Sequence, residues 1–130
     1  MGELYRASCP ACGYDTTLYL GAGFLSINLK RSASVLTEEE RAVLLRMTDE
    51  NEIKEYSIEN KVTECTTCQK IDSQTIIDIT RHDGTKCRFG KVCNTCKKEV
   101  IIYEDGADGF YMCPKCRQHI LELEETGVWD

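Results

Sequence analysis

Eight of the nine cysteines in this chain fall into four Cys-x-x-Cys pairs: Cys9/Cys12, Cys65/Cys68, Cys93/Cys96 and Cys113/Cys116. Two thiols at this spacing reach one ion from a single turn, and two such turns complete a tetrahedral site. Four pairs thus provide for two four-thiolate centres. The last two are separated by 16 residues that read as strand, turn and strand, a length that lets a hairpin fold back on itself.

Composition explains why metal is needed. Hydrophobic residues make up 42% of the 130, but that figure counts nine cysteines beside three Phe and one Trp. The ordinary core is thin, and small domains short of core add disulfides or metals. Met1 to Ser8 lacks the apolar segment of a secretory signal, and no run is long enough to cross a membrane. A cytoplasmic, reducing setting is therefore expected, which turns the cysteine pairs toward metal. The formal charge is -6, and two filled four-thiolate sites would carry it to roughly -10. Proteins built to bind phosphate backbones nonspecifically carry a basic excess instead.

Along the chain, Gly13 follows Cys12 directly, where a knuckle can require a positive φ. Thr16 to Leu20 reads as a strand, Gly21 to Gly23 as its break, and Phe24 to Leu29 as a short return strand, followed by a loop at Lys30 to Ser34. A helix is predicted over Glu38 to Asp49. Thr37 and Glu40 form a capping box, three glutamates fill the first turn, and Val43, Leu44 and Met47 share a face that packs on a neighbouring sheet. Asn51 to Lys61 is polar and poorly periodic, Thr75 to Thr80 reads as a strand, and Asp83-Gly84 as a tight turn. The tail from Glu125 is expected to fray or to dock through Trp129. A knuckle followed by a strand recurs four times, and two such halves make one ribbon.

Three pairings of the knuckles are possible. Adjacent pairing puts Cys9, Cys12, Cys65 and Cys68 on one ion and Cys93, Cys96, Cys113 and Cys116 on another. Nested pairing joins first to last and second to third, as in the cysteine-rich region of J-domain co-chaperones, whose glycine pattern is missing from these four motifs. Closing 16 residues rather than the 100 between Cys12 and Cys113 favours the adjacent scheme by about 1 to 2 kcal/mol. Adjacent pairing is the expectation, with the helix and its flanking strands inserted in the 52 residues between the first two knuckles. The C-terminal ribbon is expected to have little holding it beyond its metal.

Four thiolates leave no open coordination position, so the centres are expected to be structural and the protein not to be an enzyme. Cys87 lies outside the pairs and reads as a buried or idle thiol. His82 and His119 are surplus to the eight ligands, His119 standing close enough to Cys116 to support it. Arg81, Lys86, Arg88, Lys91, Lys97 and Lys98 form a basic run with Asp83 as its one acid, joined by Lys115 and Arg117 through the facing knuckle, while Glu104 to Gly109 makes an acidic hairpin tip.

These motifs resemble the zinc-ribbon superfamily, and CPACGY followed by LYLGAG resembles the opening of small bacterial zinc-ribbon proteins. CPACGY also resembles the first knuckle of rubredoxin, and CPKC at Cys113 to Cys116 the start of its second. The ribbon resemblance implies a small, metal-stabilised α+β protein of two zinc ribbons holding two Zn2+ on the eight paired cysteines. Its N-terminal ribbon, with the helical insertion, would span residues 1-80, and its C-terminal ribbon 81-130. The expected role is a noncatalytic module with a protein partner. A nucleic-acid or transcription accessory factor using the basic patch around 86-98 is the alternative, and a rubredoxin-like iron carrier a third reading.

Overall fold

A computed structural model describes residues 2-22 and 29-129, with the backbone alone at Lys30. Two antiparallel sheets carry the fold. Strands β1 (Gly2–Ser8) and β2 (Asp15–Leu20) form a hairpin, and β7 (Glu122–Trp129) pairs along the other side of β1, giving the order β2-β1-β7. Strands β3 (Ile53–Cys65), β4 (Lys70–Arg81), β5 (Lys86–Phe89) and β6 (Ile101–Tyr103) make the larger sheet, ordered β5-β4-β3-β6. Between the sheets in sequence lie a short helix α1 (Leu29–Ala33) and a longer α2 (Glu38–Asp49).

The longer helix forms over the predicted residues. Thr37 Oγ accepts from the Glu40 N–H at 3.3 Å, and Glu38, Glu39 and Glu40 fill the first turn. Glu40 also leaves the box: its Oε2 accepts from the Gly90 N–H at 2.9 Å, fastening the helix start to the loop after β5. Leu44 and Met47 are fully buried with Ile58, Ile77, Ile79 and Phe89, whereas Val43 stays 40% exposed.

Register places Ile58, Val62, Ile71, Ile77 and Ile79 on one face of the β3–β4 hairpin. At the open end of that face the helices cover Ile58, Ile77 and Ile79. Toward its turn, Val62 and Ile71 pack with Ala7, Leu18 and Leu20 of the smaller sheet and with Tyr111 and Leu121. Gly21 and Asn60 exchange both backbone hydrogen bonds, and Tyr14 donates to the Ile71 carbonyl and accepts from its N–H, so the sheets are stitched as well as packed.

Several expectations need correction. Of Asn51 to Lys61, too polar to read as a strand, all but the first two residues belong to the longest one, where Lys61 is held by Glu59, Asp78 and Glu104 and residues 54-57 stay in water. Lys30 to Ser34, read as a loop, lies mostly in α1. The return strand expected from Phe24 falls on 24-28, outside the described residues, and Leu29 begins the helix. The hairpin expected between Cys96 and Cys113 does not form as such: β6 pairs with β3, and a single 3-10 turn at Gly106–Asp108 sends the chain on to the other sheet. The tail is docked, with Trp129 Nε1 donating to the Leu20 carbonyl at 3.0 Å and its ring edge-on to Tyr19.

Candidate metal centres

The eight paired cysteines gather into two groups of four, and the pairing is nested. Cys9 and Cys12 meet Cys113 and Cys116, while Cys65 and Cys68 meet Cys93 and Cys96. The adjacent scheme favoured by loop length is overturned, for a reason visible in the strand register. Ser8, beside the first knuckle, pairs with Glu122 of β7, which draws the last knuckle to the first. Val62 to Glu64, leading into the second knuckle, pair with Ile101 to Tyr103, which draws in the third. A strand ladder and its core outweigh the 1 to 2 kcal/mol of loop entropy that separates the schemes, about the worth of one or two hydrogen bonds. Each centre takes one knuckle from either side of residue 80.

All four knuckles are built alike. Each sits between antiparallel partners: Ser8 and Asp15, Cys65 and Lys70, Val92 and Glu99, Met112 and Ile120. Each turns left-handed at the residue after its second cysteine, with φ of 79° at Gly13, 54° at Gln69, 64° at Lys97 and 55° at Arg117. Glycine marks this position once, so the signal was readable at one knuckle and hidden at three. The turn reverses the chain and aims backbone N–H groups back at sulfur. The Cys12 N–H lies 3.5 Å from Cys9 Sγ, and the Cys68 N–H 3.3 Å from Cys65 Sγ.

Sulfur spacing fits a tetrahedral ion. Cys9 and Cys116 Sγ are 3.7 Å apart and Cys12 and Cys113 3.5 Å; in the other centre Cys65 and Cys96 are 3.4 Å apart and Cys68 and Cys93 3.8 Å. Four thiolates at about 2.3 Å from a shared zinc would lie about 3.8 Å from one another. Acidity follows the same design. The Cys12 N–H leads in pulling the Cys9 thiol down to about 6, whereas the adjacent Cys96 sulfur, with burial, pushes Cys68 up to about 12. Within each group one thiol is lowered and another raised, Cys9 against Cys12 and Cys93 against Cys68.

The first and last knuckles form what we call the outer centre. Cys9 and Cys113 are buried in the core between the sheets, among Leu18, Leu20, Val62, Ile71, Tyr111 and Leu121. In the inner centre Cys65 and Cys93 are buried with Val100, and Ile102 lies partly covered against them. His119 Nδ1 lies 3.9 Å from Cys116 Sγ, and its carbonyl accepts from the Cys113 N–H, the supporting place expected for it. Cys87 packs at the margin of the helix core, its thiol pushed up by burial, away from both centres.

The charged features are rearranged. Lys115 and Arg117 belong to the outer centre, so they do not face the Cys93 knuckle as the adjacent scheme required. Arg88 is committed, its Nε 2.6 Å from Asp78 and its Nη1 2.7 Å from Glu104. Glu104, expected at a free acidic tip, is thereby folded onto the larger sheet, where it also meets Lys61. Compared with protein-family models, curated proteins and solved structures, the chain matches none of them.

Proposed function

We propose that this protein is a noncatalytic module built on two structural zinc ions, one in each four-cysteine centre, and that it works by binding another protein. The observation that carries the zinc reading is the two groups of four sulfurs, each mutually within 4.8 Å and each approached by knuckle N–H groups. Zinc favours such all-thiolate tetrahedral sets, and four ligands leave it no position for water or substrate. The net charge of -6 argues for a protein partner over nucleic acid. Metal analysis of the purified chain tests the base of this reading: two zinc per chain are expected, and well under two with free thiols would overturn it.

A second reading concerns the outer centre alone. It unites CPACGY with CPKC, the two stretches that resemble rubredoxin knuckles, around one set of four sulfurs. Iron held there would carry electrons and colour the protein. A colourless sample with zinc in both centres dismisses it.

A further inference from the structure

An interaction module needs a surface, and one sheet edge differs from the rest of the molecule. Strand β5 ends the larger sheet, pairing with β4 along one side. Among the described residues, nothing bonds to the main chain of 86-89 from the other side. Such an edge is a template for another strand unless charge or cover blunts it. This one carries charge of a single sign on Lys86 and Arg88, which blunts pairing with a second copy of itself and suits a strand of opposite charge. A cleft of about 910 Å³ lies against β5 and reaches across β4 to β3, with Val43, Tyr56, Arg81, Lys86, Cys87 and Lys91 in its walls beside Glu55 and Asp78.

Cations in the cleft divide into spent and unspent. Arg88 is neutralised by Asp78 and Glu104. Arg81, Lys86 and Lys91 have no carboxylate within ion-pair reach among the described residues, although Glu55 contributes to the lining. Arg81 Nη1 reaches Thr85 Oγ1 at 3.4 Å and its Nη2 lies 4.0 Å from Met47 Sδ, while its buried Nε has no hydrogen-bond partner among the described residues. Beside them Tyr56 is 46% exposed, an apolar wall within a basic groove.

We propose that the β5 edge docks an extended acidic segment of a partner protein, added as a fifth strand, with carboxylates on Arg81, Lys86 and Lys91 and apolar side chains against Val43. This rests on the protein-binding reading above and gives it a place. Main-chain pairing supplies affinity and side chains supply choice, the usual division in strand addition. Nucleic acid fits less well. Three uncommitted cations are few beside the six to ten phosphate contacts of roughly typical polyanion binders, and the molecule as a whole repels a polyanion. Nor does a phosphate backbone use the unpaired N–H and C=O row.

The test uses full-length protein shown by metal analysis to hold two ions per chain. The probe is a short fluorescein-labelled peptide of alternating Glu and Val, compared with its Lys–Val counterpart, with a version N-methylated along one edge, with oligo-dT and with inorganic phosphate as competitor. The Glu–Val peptide should bind and weaken with added salt. Binding should drop about tenfold in Lys86→Glu/Lys91→Glu protein and by a similar factor on N-methylation. Absence of peptide binding to the two-metal protein, or indifference to both changes, overturns the docking edge while leaving the metal reading intact. Tighter binding of oligo-dT through the same lysines assigns the face to nucleic acid, and full displacement by phosphate reduces it to an anion pocket. Either result overturns the proposal. A metal count well below two would instead sink the functional reading on which it rests.

Discussion

The outer and inner centres use the same four thiols, the same left-handed turn and the same flanking strand pairs, yet they are embedded differently. Outer ligands Cys9 and Cys113 lie in a nine-residue core that joins both sheets, and Cys12, 101 positions before Cys113, packs against it. Inner ligands Cys65 and Cys93 share a buried cluster of three with Val100, and Cys68, 25 positions before Cys93, packs against it. An ion in the outer site is one of several ties between β1, β7 and the larger sheet. In the inner site it would hold a segment between β5 and β6 that is otherwise tied by side-chain hydrogen bonds, of Glu40 and Gln74 with the backbone of Gly90 and Val92 and of Lys70 with Thr95, with little core beneath it. Local stability should follow that difference, since protection varies with how much else holds a segment.

The largest expected effects come from removing one ligand in each centre. Cys93→Ser and Cys113→Ser should each lose one metal per chain. Amide exchange should then rise only around 91-100 in the first. The second should lose more than about 4 kcal/mol of global stability, because the vacated site lies within the main core. Indistinguishable exchange maps would erase the comparison. Next in size, Leu18→Ala in the outer core should cost about 2 to 5 kcal/mol and weaken the outer ion while sparing the inner. Leu44→Ala, on the buried face of α2, should cost as much in chemical denaturation and leave both metals in place.

A smaller change works in the other direction. Lys97 and Arg117 hold positive φ that glycine adopts freely, so Lys97→Gly and Arg117→Gly should each stabilise by about 1 kcal/mol, read from the denaturation midpoint. Equal gains would show that the knuckles are alike even where their surroundings are not. Smallest is Glu104, on the link from inner to outer centre. Lys61, then Arg88, holds its carboxyl below the usual range, so its contribution is present above the unfolded carboxyl pKa and fades as pH falls through the folded one. Because Glu104 is half exposed, Glu104→Gln should cost under about 1 kcal/mol at neutral pH, and the gap should close in acid.

Sequence revealed local structure better than it revealed which pieces meet. Helix α2 showed through its cap and glutamates, and the four knuckles through their spacing. Hidden were the partnerships of strands that carry little apolar signal. β7, with the sequence ELEETGVW, alternates weakly and bears three glutamates, yet it closes the outer centre by pairing with β1. β3 begins with polar residues in water on both faces, and its identity is fixed by β4 alongside. Loop entropy was the one long-range cue available, and it favoured the wrong pairing because it ignores ladders that form elsewhere. The Gly90 requirement was equally silent. Its φ is 94°, and a Cβ there would stand 2.2 Å from the Thr75 carbonyl oxygen, a closeness fixed by chain segments fifteen residues apart.

Nested closure also sets a schedule. A chain is made from its N-terminus, so the knuckle at Cys9 is synthesised first and must wait for Cys113, whereas Cys65 waits only for Cys93. At translation rates of about 5 to 20 residues per second, the outer site's first thiols stand without their partners for roughly 5 to 20 seconds. The inner pair waits about a quarter of that time. Birth order therefore runs inside out: the second knuckle made is the first to be completed. Throughout that interval the Cys9–Cys12 dithiol lacks the two thiols that complete its centre, and oxidation of the pair to a disulfide would leave that centre two thiolates short.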